Sequence, residues 1–158
     1  MSGAGRPQGE AVDGRGLRIP IVAGRWHEAI SDGLIAGARR VLDAAGVEHE
    51  LVRVPGSFEL PVACKAILEH GADAVVALGV IVRGGTPHFE FVSDAATSGL
   101  TRVALETGKP VGFGVLTLDD EQQGLDRAGL PGSREDKGAE AAHAALETAL
   151  LLRALRTR

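Results

Sequence analysis

Residues Ala74 to Val82 are apolar almost without interruption and then give way to Arg83-Gly84-Gly85-Thr86-Pro87-His88. A continuous apolar run closed by glycine marks a parallel strand covered on both faces, since a strand with one wet face would alternate. Gly84 and Gly85 let backbone N–H groups approach a ligand with no Cβ in the way. Thr86 suits a helix N-cap and Pro87 the first helical position. The strand is therefore expected to run through a tight loop into a helix, whose N-terminus offers unpaired N–H donors and about half a positive charge. An anion such as phosphate is solvated well at that point, and His88, in the first turn, is placed to move protons beside it.

The rest of the chain repeats the same strand-to-helix rhythm. Strands are expected at Leu17–Ala23, His49–Val54, Ala74–Val82 and Pro110–Leu116, and helices at His27–Ala45, Phe58–His70, His88–Thr107, Glu121–Ala128 and Asp136–Arg156. In the first helix Leu34, Ile35, Ala38, Val41, Leu42 and Ala45 share one face. Such alternation builds a four-stranded parallel sheet with helices on both sides, joined by right-handed crossovers. Met1 to Gly16 is rich in glycine and polar residues without apolar periodicity, which predicts a flexible arm over 1–16 and a single domain over 17–158.

Composition narrows the partners. A chain of 158 residues can bury one good core but not two. A net charge of -4 and a pI near 5.7 argue against a nucleic-acid or anionic-membrane surface; Arg153, Arg156 and Arg158 cluster where they complement the dipole of the last helix. Cys64 stands alone, so no internal disulfide is expected, and neither a signal peptide nor a membrane-length apolar run is found. A reducing cytoplasm fits. Walker A, G-x-G-x-x-G after a strand, H-E-x-x-H and zinc-type Cys/His spacings are all lacking, which removes dinucleotide and metal readings.

In a doubly covered parallel sheet, ligands sit beyond the carboxyl ends of the strands. The four strands lead into Arg25-Trp26-His27, Pro55-Gly56-Ser57-Phe58-Glu59, Arg83 to His88, and Thr117-Leu118-Asp119-Asp120. Trp26, the one tryptophan in a chain with no tyrosine, is either a stacking plate for a planar heterocycle or a helix-start residue folded onto the core. Glu59 is either a ligand-binding carboxylate or simply an acid favoured by a helix dipole. Arg127 and Lys137, taken alone, read as solvated cations at helix ends.

Four blocks, in order, carry a resemblance: Val54-Pro55-Gly56-Ser57-Phe58-Glu59-Leu60-Pro61; Leu78 through Phe89; Gly114-Val115-Leu116-Thr117; and Asp126-Arg127-Ala128-Gly129 with Asp136-Lys137-Gly138. From about Leu17 to Leu155 the chain resembles the lumazine synthase family. The resemblance implies a flavodoxin-like three-layer α/β/α sandwich and condensation of 5-amino-6-ribitylamino-uracil with 3,4-dihydroxy-2-butanone 4-phosphate, with no metal or organic cofactor. It implies that Trp26 stacks on the pyrimidine, that Glu59 and the backbone at Ser57 and Phe58 hold the ribityl chain, and that the backbone of Val80, Ile81 and Val82 meets the pyrimidine edge. It also implies that Gly85 and Thr86 amides, with Arg127 and Lys137, hold the phosphate, and that His88 is the catalytic proton carrier. Phe113 and Arg127 are implied to close the pocket from an adjacent subunit of a homopentamer.

The chain departs from the usual family pattern at Val82 and Gly85 and across Leu118 to Gly124. Gly124 lies inside the helix that leads to Arg127, where glycine costs about 1 kcal/mol relative to alanine. Leu130-Pro131-Gly132-Ser133-Arg134-Glu135 looks like an insertion relative to members that pack pentamers into icosahedral shells, and predicts a free pentamer, with a pentamer pair as the next alternative. Two other readings stay open: a lumazine- or flavin-binding relative with little synthase activity, and an archaeal-type riboflavin synthase. Neither needs both a proton carrier at His88 and a phosphate clamp at Arg127.

Overall fold

A computed structural model describes residues 4–6 and 12–158. Four strands, β1 (Ile21–Gly24), β2 (Leu51–Val54), β3 (Val75–Val82) and β4 (Val111–Leu118), lie in one all-parallel sheet in the order β2-β1-β3-β4. Helices α1 (Glu28–Ala44) and α5 (Lys137–Arg156) cover one face; α2 (Leu60–Glu69) and α3 (His88–Thr107) cover the other. The short α4 (Glu121–Leu125) follows β4. Val76, Leu78 and Val80 of β3 pack into the α1/α5 core, while Val75, Ala77 and Ile81 pack into the α2/α3 core. Both faces of the strand are thus dry, as its unbroken apolar sequence requires. The architecture is the expected flavodoxin-like sandwich. Among the described residues no helix is long and apolar enough to cross a membrane.

Several boundaries shift for local reasons. β1 begins at Ile21 rather than Leu17, because Pro20 has no N–H to give the ladder. The segment before it stays extended, with Ile19 N–H donating to Glu48 O at 2.8 Å and one isolated bridge from Arg18 to Glu48. β2 likewise starts at Leu51 instead of His49. The helix expected from Phe58 splits into a 3-10 turn over Ser57–Glu59 and α2, with Pro61 in the first turn of α2. β4 runs to Leu118, two residues beyond expectation, paired with β3 up to Val82. α4 stops at Leu125 rather than Ala128, since the chain folds back so that the Arg134 and Glu135 N–H groups donate to Asp126 O.

Of the arm expected over residues 1–16, residues 1–3 and 7–11 lie outside those described. Val12 packs against the α1/α5 core, and Gly14 is buried with its N–H donating to Ala45 O at 2.7 Å. Packing on the domain therefore reaches back past Leu17, the residue at which it was expected to begin.

α1 and α5 cross closely because their contact is lined by Gly37 and Gly138. A Cβ on Gly138 would run into the backbone of Leu34. At Gly37 the occupant is the Asp136 carboxylate, which also accepts from Ala139 N–H at 3.1 Å and so caps α5. This crossing holds the start of α5, and Lys137 with it, against α1.

Candidate active site

The carboxyl ends of β1, β2 and β3 open into a cavity of about 710 Å³, a size that suits a small heterocyclic ligand. Trp26, Glu59, Val80, Val82, Thr86 and His88 all line it. The cavity forms because the strands have unequal lengths. The β1–β3 ladder ends at Ala23 and Leu78, whereas the β3–β4 ladder continues to Val82 and Leu118. Past the end of β1, the β1-facing edge of β3 has no strand beside it, and its backbone donors and acceptors meet the cavity.

Trp26 is 68% exposed, which removes the core reading. Its indole lies on Gly56, where a Cβ would come within 3.2 Å of Nε1; a side chain at Gly56 would lift the ring off the β2 loop. Ser57 is buried, with its hydroxyl turned onto Gly79 of β3, another position where no Cβ fits. Ser57 therefore meets the cavity mainly through its backbone. Phe58 is exposed at the rim and Glu59 is half-buried at the end of the 3-10 turn.

The glycine loop differs from expectation in one respect. Thr86 does not cap α3 with its side chain; the helix starts at His88, with Pro87 in the cap position and its carbonyl accepting from Glu90 N–H at 3.0 Å. The Thr86 hydroxyl is left for the cavity. Gly84 and Gly85 have ordinary backbone conformations and no neighbours where a Cβ would stand. Nothing in the chain itself needs glycine there; Gly84 lines the cavity, whereas Gly85, expected in the site, is beside it in sequence without lining it. Arg83 braces the loop. Its Nε donates to Asp119 Oδ1 at 3.0 Å, Nη1 lies 3.7 Å from Glu90 Oε1, and its guanidinium sits 4.4 Å from the centre of the Phe89 ring.

Three expected site residues lie elsewhere. Phe113 sits midway along the edge strand β4, 46% exposed. Arg127 follows α4; its Nη1 donates to Gln123 O at 2.9 Å and its Nε lies 3.6 Å from Glu135 Oε2. Lys137 is close by, its N–H donating to Arg127 O at 2.9 Å, with its ammonium 3.2 Å from Glu140 Oε2 and 3.5 Å from Glu135 Oε1. Arg127 and Lys137 thus share one network of ion pairs through Glu135, and neither lines the cavity that holds His88.

Sequence reasoning missed His27, Phe91 and Val92, all of which line the cavity. The last two were readable from spacing, since His88, Phe91 and Val92 stand at i, i+3 and i+4 on α3. His27 carries no such signal. It is the one described non-glycine residue with positive φ, at 56°, and its Nδ1 lies 2.9 Å from Glu121 Oε1. A left-handed conformation costs a non-glycine residue on the order of 1 kcal/mol, and only coordinates reveal it.

Together the fold and cavity define a flavodoxin-like α/β protein with a cavity of small-molecule size across three strand ends, an exposed tryptophan on one side and a glycine-loop helix start on the other. The chain belongs to the 6,7-dimethyl-8-ribityllumazine synthase family, whose pattern it matches over residues 16–153. It is 78% identical over 157 residues to the 6,7-dimethyl-8-ribityllumazine synthase of Leifsonia xyli subsp. xyli, covering 99% of both chains. It is 72% identical over 158 residues, again 99% of both, to that of Clavibacter michiganensis subsp. michiganensis, and 55% identical over 156 residues, 98% of this chain and 97% of its relative, to that of Streptomyces avermitilis.

Proposed function

We propose that the protein is a transferase of riboflavin biosynthesis, joining 5-amino-6-ribitylamino-uracil to 3,4-dihydroxy-2-butanone 4-phosphate to give 6,7-dimethyl-8-ribityllumazine. The observation that carries this reading is the meeting of an exposed tryptophan plate, the bare edge of β3, and His88 with Thr86 in a single cavity, in a chain of this family. The pyrimidine stacks on Trp26 and pairs along Val80–Val82, while Glu59 and the backbone at Ser57 and Phe58 take the ribityl hydroxyls. The phosphate lies at the Gly84-Gly85-Thr86 amides and the start of α3.

The amine of the pyrimidine adds to the ketone and water leaves, giving an imine. Loss of a carbon-bound proton expels phosphate, and closure of the second ring releases another water. Each step moves a proton near the phosphate end. His88 stands there, and an imidazole, with one ring nitrogen that donates and one that accepts, can take a proton and return it. Holding two substrates in register supplies much of the remaining acceleration.

Arg127 and Phe113 cannot serve the cavity of their own subunit from where they stand, so we assign them to the cavity of a neighbour. A head-to-tail contact of this kind closes into a ring, here a pentamer. The loop Leu130–Glu135 keeps that ring free: Arg134 binds Asp126 through its backbone N–H at 3.1 Å and through Nε at 2.6 Å, which makes the loop a firm projection against shell packing. We place the reaction in the cytoplasm, where Cys64, buried and with its thiol pushed up to about 12 by desolvation, stays reduced. Mixing the two purified substrates with the protein and following lumazine absorbance tests the activity. No product above the uncatalysed background would refute it.

A further inference from the structure

Trp26 and His27 are consecutive, yet the left-handed turn at His27 sends their side chains to different tasks. The indole lies over Gly56 at the cavity, and the imidazole Nδ1 reaches Glu121 Oε1 at 2.9 Å. The same torsions carry α1 forward, with His27 O accepting from Ser31 N–H at 2.9 Å. Glu121 opens α4, and Arg127 is fixed to that helix twice, by its N–H to Gly124 O at 3.1 Å and by Nη1 to Gln123 O at 2.9 Å. Gly124 seats α4 directly on α1, since a Cβ there would stand 2.5 Å from Ile30 Cδ1. α4 and Arg127 therefore form one unit, and the His27–Glu121 contact is its polar tie to the turn that presents the tryptophan.

Resting on the reading given above, in which Trp26 serves its own subunit's site and Arg127 the neighbour's, this tie lies between two active sites. We propose that the His27–Glu121 pair is a positioning strut through which pyrimidine occupancy of one site tightens the phosphate grip of the next site around the ring. The physical basis is the His27 backbone torsion, held left-handed at φ 56° although a non-glycine residue favours the right-handed basin. A heterocycle stacked on Trp26 favours the left-handed turn at His27; that turn presents the imidazole to Glu121; and the pair fixes α4, which aims Arg127. Without the pair, the His27 turn is free to relax and Arg127 loses its reference. Neither His27 nor Glu121 needs to touch a reacting atom, and coupling of this kind requires such a two-state element between the sites.

The test uses the assembled full-length protein and inorganic phosphate as the probe, titrated by calorimetry with and without saturating pyrimidine substrate. Wild type should bind phosphate about fivefold or more tighter when the pyrimidine is present, and by linkage phosphate should tighten pyrimidine binding, read from Trp26 fluorescence, by the same factor. Glu121→Ala should bring both factors to within about twofold of unity while keeping the Trp26 response to pyrimidine. Glu121→Gln, which can still accept from Nδ1–H, should restore most of the coupling. Full coupling in Glu121→Ala would show that the two ligands communicate by direct contact inside one pocket and would overturn the strut. So would absence of coupling in wild type, or loss of the Trp26 response in both variants, which would mark a purely structural role. If wild type makes no lumazine from the two substrates, the reading of function fails; if it makes lumazine while Glu121→Ala keeps full coupling, only the strut fails.

Discussion

Gly138→Ala isolates the contact on which the placement of Lys137 and Arg127 depends. An alanine Cβ at this position would stand 2.7 Å from the carbonyl carbon of Leu34 and 2.8 Å from its Cα, with the carbonyl oxygen nearer still. Ordinary contact begins at 3.4 Å, so the overlap with the carbon is about 0.7 Å. These are backbone atoms of α1, and no rotamer change relieves the clash; α5 must lift or tilt. Overpacking costs about 1–3 kcal/mol where side chains can yield. Here the upper end applies, and the helix-propensity gain of Gly→Ala, about 1 kcal/mol, offsets only part of it. A net loss of about 2 kcal/mol corresponds to roughly 4–8 °C in Tm for a chain of this length. Gly124→Ala is the matched control: its nearest neighbours, Ile30 Cδ1 at 2.5 Å and Leu118 Cδ1 at 2.8 Å, are tips of flexible side chains, so its loss should be about 1 kcal/mol or less. Thermal denaturation of both variants at one fixed protein concentration decides the matter. If Gly138→Ala melts with wild type, or Gly124→Ala melts well below it, steric control by the α1–α5 crossing is refuted.

His88→Ala should slow lumazine formation by ~10²–10⁴-fold without abolishing it; an unchanged rate in a steady-state assay would remove His88 from the mechanism. Arg127→Ala should raise KM for the phosphate substrate with little change in pyrimidine affinity, because a guanidinium fork matches phosphate geometry; equal losses for both substrates would point to a structural role instead. Trp26→Ala should weaken pyrimidine binding while leaving Tm near wild type, since a side chain 68% exposed escapes the 3–5 kcal/mol typical of deleting a core aromatic, and wild-type Trp26 fluorescence should respond to ligand. Analytical ultracentrifugation should show a free pentamer, and a dominant species of about sixty subunits would overturn the role assigned to the Leu130–Glu135 loop.

Much of the fold was legible because β3 is so uniformly apolar. A run dry on both faces commits the sheet to parallel pairing, and the remaining strands then follow from alternation. The boundaries that moved are those set by single backbone groups that apolar periodicity does not report: the missing N–H of Pro20, the 3-10 turn at Ser57–Glu59, the carbonyl of Asp126. Gly124 is instructive in the same way. Along the chain it is only a poor helix former, whereas in space it is the residue that lets α4 touch Ile30. The cavity itself was readable as strand ends converging, and Trp26, Glu59 and His88 fall in it together. His27 was not, because its role rests on a torsion angle and on a partner in a segment far along the chain.

The separation of Arg127 from His88 also bears on how the chain divides its work. On the proposed reading, pyrimidine recognition and proton transfer fall to the ends of β1, β2 and β3 and the start of α3, which line one cavity. Arg127, to which that reading gives the phosphate, instead follows a helix of five residues, Glu121–Leu125, too short to be stable alone. Such a segment needs outside supports, and the structure supplies them individually: Asp120 caps it by accepting from Gln123 N–H at 2.9 Å, Gly124 seats on Ile30, Lys137 N–H anchors Arg127 O, and Glu121 meets His27. Three of these four supports come from α1 and α5 or the turn before α1, on the face of the sheet opposite α3. Arg127, held from that side, does not line its own cavity, as a ring of subunits requires if each is to complete the site of the next.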